Sequence, residues 1–394
     1  MKATKGEFSI YNANIVTPDE VIKGGSVLIE DGKISKITSE KITAAGSPGV
    51  RSVDAKGCYL MPGFIDIHSD VIEREIESRP GTFLSTNIAL LELDKKLAAS
   101  GVTTIYHSVS FADEIVIVIR SLDVVDSIIR EIKRLRDTLL IKTKVHTRYE
   151  VTYSGGLPEI EKLMSEGLVD FISVMDHSPG QGQFKTEEQI RGYYGDRFGV
   201  DKKSILDLID RRMALRERVG IENAVKMVKA AHASKVPVAS HDDDTREKVV
   251  FMRKNGIRIT EFPVSMEAVE EAAAAGIAIS LGSPNILRGY SHNKNLSSRE
   301  LLKEGYGDIV CSDYIPSTLV HSMFVLKESG IKTLSEACRL YNYNPAKCLG
   351  LAGECGAVSA GLDADLVLID NNGEIPRILK TWVRGREVYS ICMD

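Results

Sequence analysis

The segment VPVASHDDDTREKVVFMRKNGIRITEFPVSMEAVEEAAAAGIAISLGS, residues 236–283, decides the fold. It opens on a short apolar run, Val236–His241. TREKVVFMRKNG follows with helical periodicity, then a second run, Arg258–Val264. MEAVEEAAAAG is again helical, and Ala278–Ser283 is a third run. Short apolar strands separated by single amphipathic helices predict βαβ units, hence parallel neighbours in one sheet. The same alternation extends outward. Phe64–Asp70, Val102–Ser110, Lys144–Glu150 and Asp170–Asp176 precede it, and Ile309–Asp313 follows. NIALLELDKKLAAS and VVDSIIREIKRLRDTLL supply further helical periodicity between them. Eight such units within residues 61–354 fit an α/β fold of the (β/α)8 TIM-barrel type better than an open sheet. Residues 186–234 exceed one helix and read as a helical insertion able to cap a site.

The two ends differ from this middle. FSIYNANIV, GGSVLIEDGKISKI and SVDAKGCYL alternate apolar and polar residues around Gly24-Gly25 and Asp31-Gly32. ADLVLIDNNGE and KTWVRGREVYS repeat that character near the C-terminus. One small β-sandwich domain, residues 1–60 plus 355–394, accounts for both, since chain ends often lie close together.

Composition narrows the function. The chain has 394 residues, 43% hydrophobic and 27% charged, with a formal net charge of −5. That balance suits a soluble globular enzyme and argues against a nucleic-acid binder or a basic membrane-surface protein. The N-terminal residues lack the apolar core of a signal peptide, and no run approaches the roughly 18 apolar residues of a membrane span. Six scattered cysteines without Cys-x-x-Cys spacing read as reduced thiols, so a cytoplasmic location is expected.

Barrel chemistry gathers at the C-terminal ends of the strands. There the sequence places His68-Ser69-Asp70, His107, Glu150 after His146 and Arg148, Asp176-His177, His241-Asp242-Asp243, Glu261, Asn285 and Asp313. Imidazoles and carboxylates gathered in this way are the donors that a zinc, manganese or iron centre needs. Each residue alone has a plainer reading. A strand-end histidine is more often a hydrogen-bonded core residue. One of Asp242, Asp243 and Asp244 is expected to cap the helix starting near Thr245. Glu261 is a candidate partner for an arginine, and Asp66 reads as structural. Their joint placement favours a site.

YLMPGFIDIHSD, residues 59–70, resembles the first barrel strand of the amidohydrolase superfamily, and GLDADLVLID with TWVRGREVY resembles its terminal β segment. HSDVIEREIESRPG, VMDHSPGQGQF, ASHDDDT, TEFPVS, GSPNILRGYSHNKN and CSDYIPSTLVHS are similar to the branch of phosphonate-metabolism diphosphatases. The resemblance implies cleavage of the triphosphate of α-D-ribose 1-methylphosphonate 5-triphosphate, giving pyrophosphate and the 5-phosphate. It also implies one or two divalent metal ions, zinc foremost. His68, Asp70, Glu150 and Asp313 would surround one ion. His177, His241 and a bridging Glu150 would hold the other, with Asp313 as general base. The sequence departs from the common superfamily pattern at Asp70, at the fourth strand, which has no lysine, and at Glu261.

A triphosphate needs local positive charge. The candidates are Arg79, Arg148, Lys185, Arg191, Arg246 and Arg288, with Arg197 and Lys294 in the same loops. GYYGDRFG, residues 192–199, is a candidate lid. The expected partner is therefore a small phosphorylated sugar phosphonate, with neither nucleic acid nor membrane, and a homodimer is the prior assembly. Two alternatives stand: an amidohydrolase acting on a cyclic amide or N-acetyl group, and a non-catalytic scaffold.

Overall fold

A computed structural model describes residues 6–40, 51–79, 81–112, 118–180, 201–291, 295–373 and 375–391, with 182, 186, 190, 191 and 195 in the stretch between 180 and 201. Five strands open the chain: β1 (Glu7–Val16), β2 (Val21–Glu30), β3 (Lys33–Thr38), β4 (Arg51–Asp54) and β5 (Tyr59–Pro62). Eight follow: β6 (Phe64–Ser69), β7 (Val102–Phe111), β8 (Lys142–Glu150), β9 (Phe171–Met175), β10 (Val238–His241), β11 (Ile259–Glu261), β12 (Ala278–Gly282) and β13 (Ile309–Cys311). Three end it: β14 (Leu366–Asp370), β15 (Arg377–Val383) and β16 (Arg386–Ser390).

Strands β6 to β13 pair in chain order, each parallel to the next. A parallel bridge between Ser69 and Asp313 joins the last to the first and closes the (β/α)8 barrel. All eight expected strands are present. Six are shorter than their expected runs; beyond β11 and β13 the backbone of Phe262 (φ 53°) and Asp313 (φ 60°) turns into the left-handed region.

The terminal strands form a second sheet in the order β16-β15-β14-β5-β1-β2-β3, with β4 also beside β1. Residues of β3 and β15, Ile34 and Trp382, share one apolar cluster with Ile10, Ile29 and Leu366, so the sheet closes over its own core. Strand β14 explains why LVLI carries no polar residue. Leu366 and Leu368 face that core, whereas Val367 and Ile369 face the larger core of the barrel. The Pro62-Gly63-Phe64 junction between the two units demands glycine. A Cβ at Gly63 would fall 2.0 Å from Thr103 Cγ2.

Helical chain does follow β9, but it divides unequally. Helix Ile221–Ala233 packs against β9 and β10 and is the barrel's own crossover helix. Before it come helix Lys202–Leu215, which is capped by Asp201, and the π-helical turn Arg216–Gly220. A parallel connection requires one helix, and the sequence pattern alone does not show which of the two it is. The five described cysteines are free thiols. Among the described residues no helix is long and apolar enough to cross a membrane.

One buried ion pair braces the first βα unit. Arg120 Nη2 and Nε lie 2.8 and 3.0 Å from Glu73 Oε2, and the Ser110 amide donates to Glu73 Oε1. Arg120→Met strands a buried carboxylate, which costs about 3–5 kcal/mol. Chemical denaturation should show that loss. A midpoint unchanged from wild type would show that water or another cation compensates.

Candidate active site

The barrel interior is layered by the period of its strands. Phe171, Ala239 and Ile259 belong to an apolar floor with Ile65, Tyr106 and Ile309. Two residues further along, on the same faces, come Ser173, His241 and Glu261. On β8, Val145 and Tyr149 pack into the outer core, so His146, Arg148 and Glu150 face inward. Strand β6 shifts register between Asp66 and Ser69, a bulge of the kind that re-aims a side chain. His68 there meets His146, His241 and Phe262, with ring centroids 5.0, 5.4 and 5.0 Å away.

Among the described residues, two groups of potential ligand atoms result, each within a 4.8 Å span: His68, His241 and Glu261, and His177, His241 and Asp242. Asp242 Oδ2 lies 3.3 Å from His241 Nδ1 and 3.6 Å from His177 Nε2. Glu150 Oε2 lies 2.9 Å from His177 Nδ1, and the His177 amide also points at this carboxylate. In the first group, His68 Nδ1 is 3.0 Å from Glu261 Oε1. Ser173 donates to Glu261 Oε2 and lies 2.5 Å from His146 Nε2, while His146 Nδ1 reaches the Ile67 carbonyl at 3.0 Å. Two nitrogens and a carboxylate oxygen converge on the second group, a donor set that fits zinc, manganese or iron.

The electrostatics separate the histidines. Burial lowers His68 and His146 well below the ordinary imidazole value, and Arg148 adds to it. Burial alone takes His107 down to about 4. Burial also opposes charge on His177, yet hydrogen bonding to Asp242 and Glu150 wins and raises it. Asp242 is held below the carboxylate range despite its burial, by His241 and His177. Burial, then the neighbouring Asp70, push Asp313 up to about 8. Asp66 rises to about 6 through burial, although the Ser312 amide donates to it at 2.9 Å.

The six expected ligands all reach this end of the barrel, and His177 and His241 fall in one group, as expected. Asp70 and Asp313 are tied through backbone, with the Asp70 amide 2.8 Å from the Asp313 carbonyl. Neither enters the two groups above, and neither does Glu150, which engages His177. Glu261 and Asp242 are the carboxylates of those two groups. Glu261 pairs with a histidine, not an arginine. None of the three aspartates caps the helix; Thr245 does, accepting from the Lys248 amide. Asp243 is buried against Ser240, Thr260 and Lys248 instead, and Asp244 accepts from the Gly182 amide. The signal for Glu261 is its place two residues after Ile259, on the inward face. Asp242, Phe262 and Asp313 all have positive φ at strand ends around this site. Such backbone is uncommon outside glycine and clusters at functional sites.

The described members of the expected basic cluster differ in burial and partners. Arg148 is buried at the centre, 3.4 Å from His241 Nε2. Arg288 donates to the Tyr314 hydroxyl at 2.6 Å, and Arg191 is partly buried. Arg79 is exposed, and Arg246 is exposed and paired with Glu271 at 3.2 Å, away from the histidines. Its helix position points it at the neighbouring helix, not into the barrel. Lys185, Arg197, Lys294 and the candidate lid other than Gly195 lie outside the described residues.

The profile of the Amidohydrolase family matches residues 59–389. The chain belongs to the amidohydrolase family. This amidohydrolase is 31% identical over 387 residues to the α-D-ribose 1-methylphosphonate 5-triphosphate diphosphatase of Escherichia coli (strain K12), covering 96% of this chain and 100% of that one. It is 22% identical to the L-hydantoinase of Paenarthrobacter aurescens, over 92% of this chain and 85% of that one. Among solved structures, the dihydropyrimidinase from Brevibacillus agri NCHU1002 shares its fold, with a TM-score of 0.66 at 15% identity, covering 98% of this chain and 95% of that one. Amidohydrolases use divalent metals, and the donor set of this amidohydrolase fits one.

Proposed function

We propose that this amidohydrolase is a metal-dependent diphosphatase. Its substrate would be α-D-ribose 1-methylphosphonate 5-triphosphate, in phosphonate degradation by the carbon–phosphorus lyase pathway in the cytoplasm. The observation that carries the reading is the end-to-end likeness to the Escherichia coli diphosphatase. Water adds across the anhydride between the α and β phosphorus atoms, leaving the 5-phosphate and pyrophosphate and releasing a proton. Asp313, ionised, accepts that proton. Arg148 meets non-bridging oxygens of the triphosphate, and Arg191, Arg288, Arg79 and Lys185 serve the rest of the anion. His177, His241 and Asp242, with Glu150 beside them and His68 and Asp70 nearby, would hold the divalent ion, zinc in this reading. When bound, the ion acidifies water and polarises the bond to be broken.

Hydrolysis of a cyclic amide is the second reading, favoured by the L-hydantoinase and dihydropyrimidinase likenesses. Phosphorus NMR of metal-loaded protein with the ribose triphosphate, run beside a hydantoin and dihydroorotate, separates them. Pyrophosphate from the first compound is the expected result. Ring opening without pyrophosphate would replace the proposal with the second reading.

A further inference from the structure

A guanidinium lies at the centre of the candidate site, against a histidine that both ligand groups share. Arg148 is buried at 8% exposure, faces inward on β8 between His146 and Glu150, and brings Nη2 to 3.4 Å from His241 Nε2. Its Nε makes no hydrogen bond among the described residues. Arginine does not give up its proton in a protein, so the charge is fixed.

The two ligand groups are unequal for that reason. His68, His241 and Glu261 lie beside this cation, and two of them are already committed. His68 bonds Glu261, and Glu261 accepts from Ser173. His177, His241 and Asp242 form the other group, with Glu150 beside them, and two carboxylates there favour a cation. Both groups need His241. With Nε2 of that ring facing a guanidinium, Nδ1 is left for Asp242 and its neighbours.

We infer that Arg148 supplies one of two positive charges in this centre, so that the protein takes a single divalent ion, at His177, His241 and Asp242. The inference rests on the metal-dependent reading above but not on the identity of the substrate. It assigns to an arginine what a second ion does elsewhere: neutralising an anionic group bound beside His68 and Asp313.

The test is a metal count, which needs no substrate. Chelator-stripped protein is reloaded with excess Zn²⁺ or Mn²⁺, desalted, and analysed by elemental mass spectrometry against protein concentration. Wild type should hold one ion per chain. His177→Ala should hold none, His68→Ala should keep one, and Arg148→Met should rise towards two. Two ions per wild-type chain would overturn the inference. So would loss of the ion from His68→Ala with retention in His177→Ala. A count of one in both wild type and Arg148→Met would assign the single site to its ligands alone and remove Arg148 from the role. If Arg148→Met does not fold, Arg148→Gln, which removes the charge but keeps a polar side chain, is counted in its place with the same two outcomes. Metal counts as expected without pyrophosphate release would leave this inference standing and sink the diphosphatase.

Discussion

Asp313→Asn is expected to lower kcat/KM by about 10²–10⁴, the range that a general base contributes. The residue follows β13 at the point where the barrel closes, partly buried, with positive φ and its amide bonded to the His68 carbonyl. Asparagine keeps shape and volume but cannot accept a proton. Burial and Asp70 push the Asp313 carboxyl up to about 8 from an ordinary value of 3.8. The direction of the stability effect follows. Between those two pH values the unfolded chain has released the proton and the folded chain still holds it. Folded stability therefore falls as pH rises through that window, and the loss is complete above about pH 8. Asparagine escapes the penalty, so the metal-free variant should be more stable than metal-free wild type by on the order of a few kcal/mol at pH 9, and by less at pH 5. Urea unfolding in chelator at the two pH values reads this directly. Equal stabilities at pH 9 would mean that Asp313 ionises normally. A bound cation favours the ionised carboxylate, so in metal-loaded enzyme the activity should climb with pH at values below 8.

His241→Ala carries the largest expected loss, about 10³-fold or more in turnover together with release of metal. This ring belongs to both ligand groups and is 4% exposed, lying against His68, His177 and Phe262. Its removal also leaves Arg148 and Asp242 without the imidazole between them. His107→Ala is the comparator: a buried strand histidine held neutral, outside both groups. It should cost packing but keep metal. Metal content and turnover measured on both variants decide the matter. A His241→Ala protein that retains its ion and most of its activity would place the centre elsewhere. Equal metal loss in both variants would point to general collapse of the barrel instead.

Short-range patterning determined a great deal. Parallel strands covered on both faces must be brief apolar runs, and the helices between them must be amphipathic, so all eight strands can be read from the chain in order. The two-residue period of a strand is enough to place His146, Arg148 and Glu150 on one face of β8. The two β-rich ends declare themselves by alternation and by glycine turns. What spacing could not decide is which strand ends meet. Glu261 is 193 residues from His68, and Asp242 is 65 from His177. Their encounters depend on the closed ring, on the bulge that re-aims His68, and on the positive φ that lets Asp242 follow His241 into the site. Capping fell to Thr245 because the three aspartates before it are drawn to three different buried partners. The strand period gives the face of Arg148, but the groups it meets there are decided by the fold. An arginine is normally solvated, and only a closed barrel with carboxylates and neutral imidazoles around its axis repays the burial of that charge.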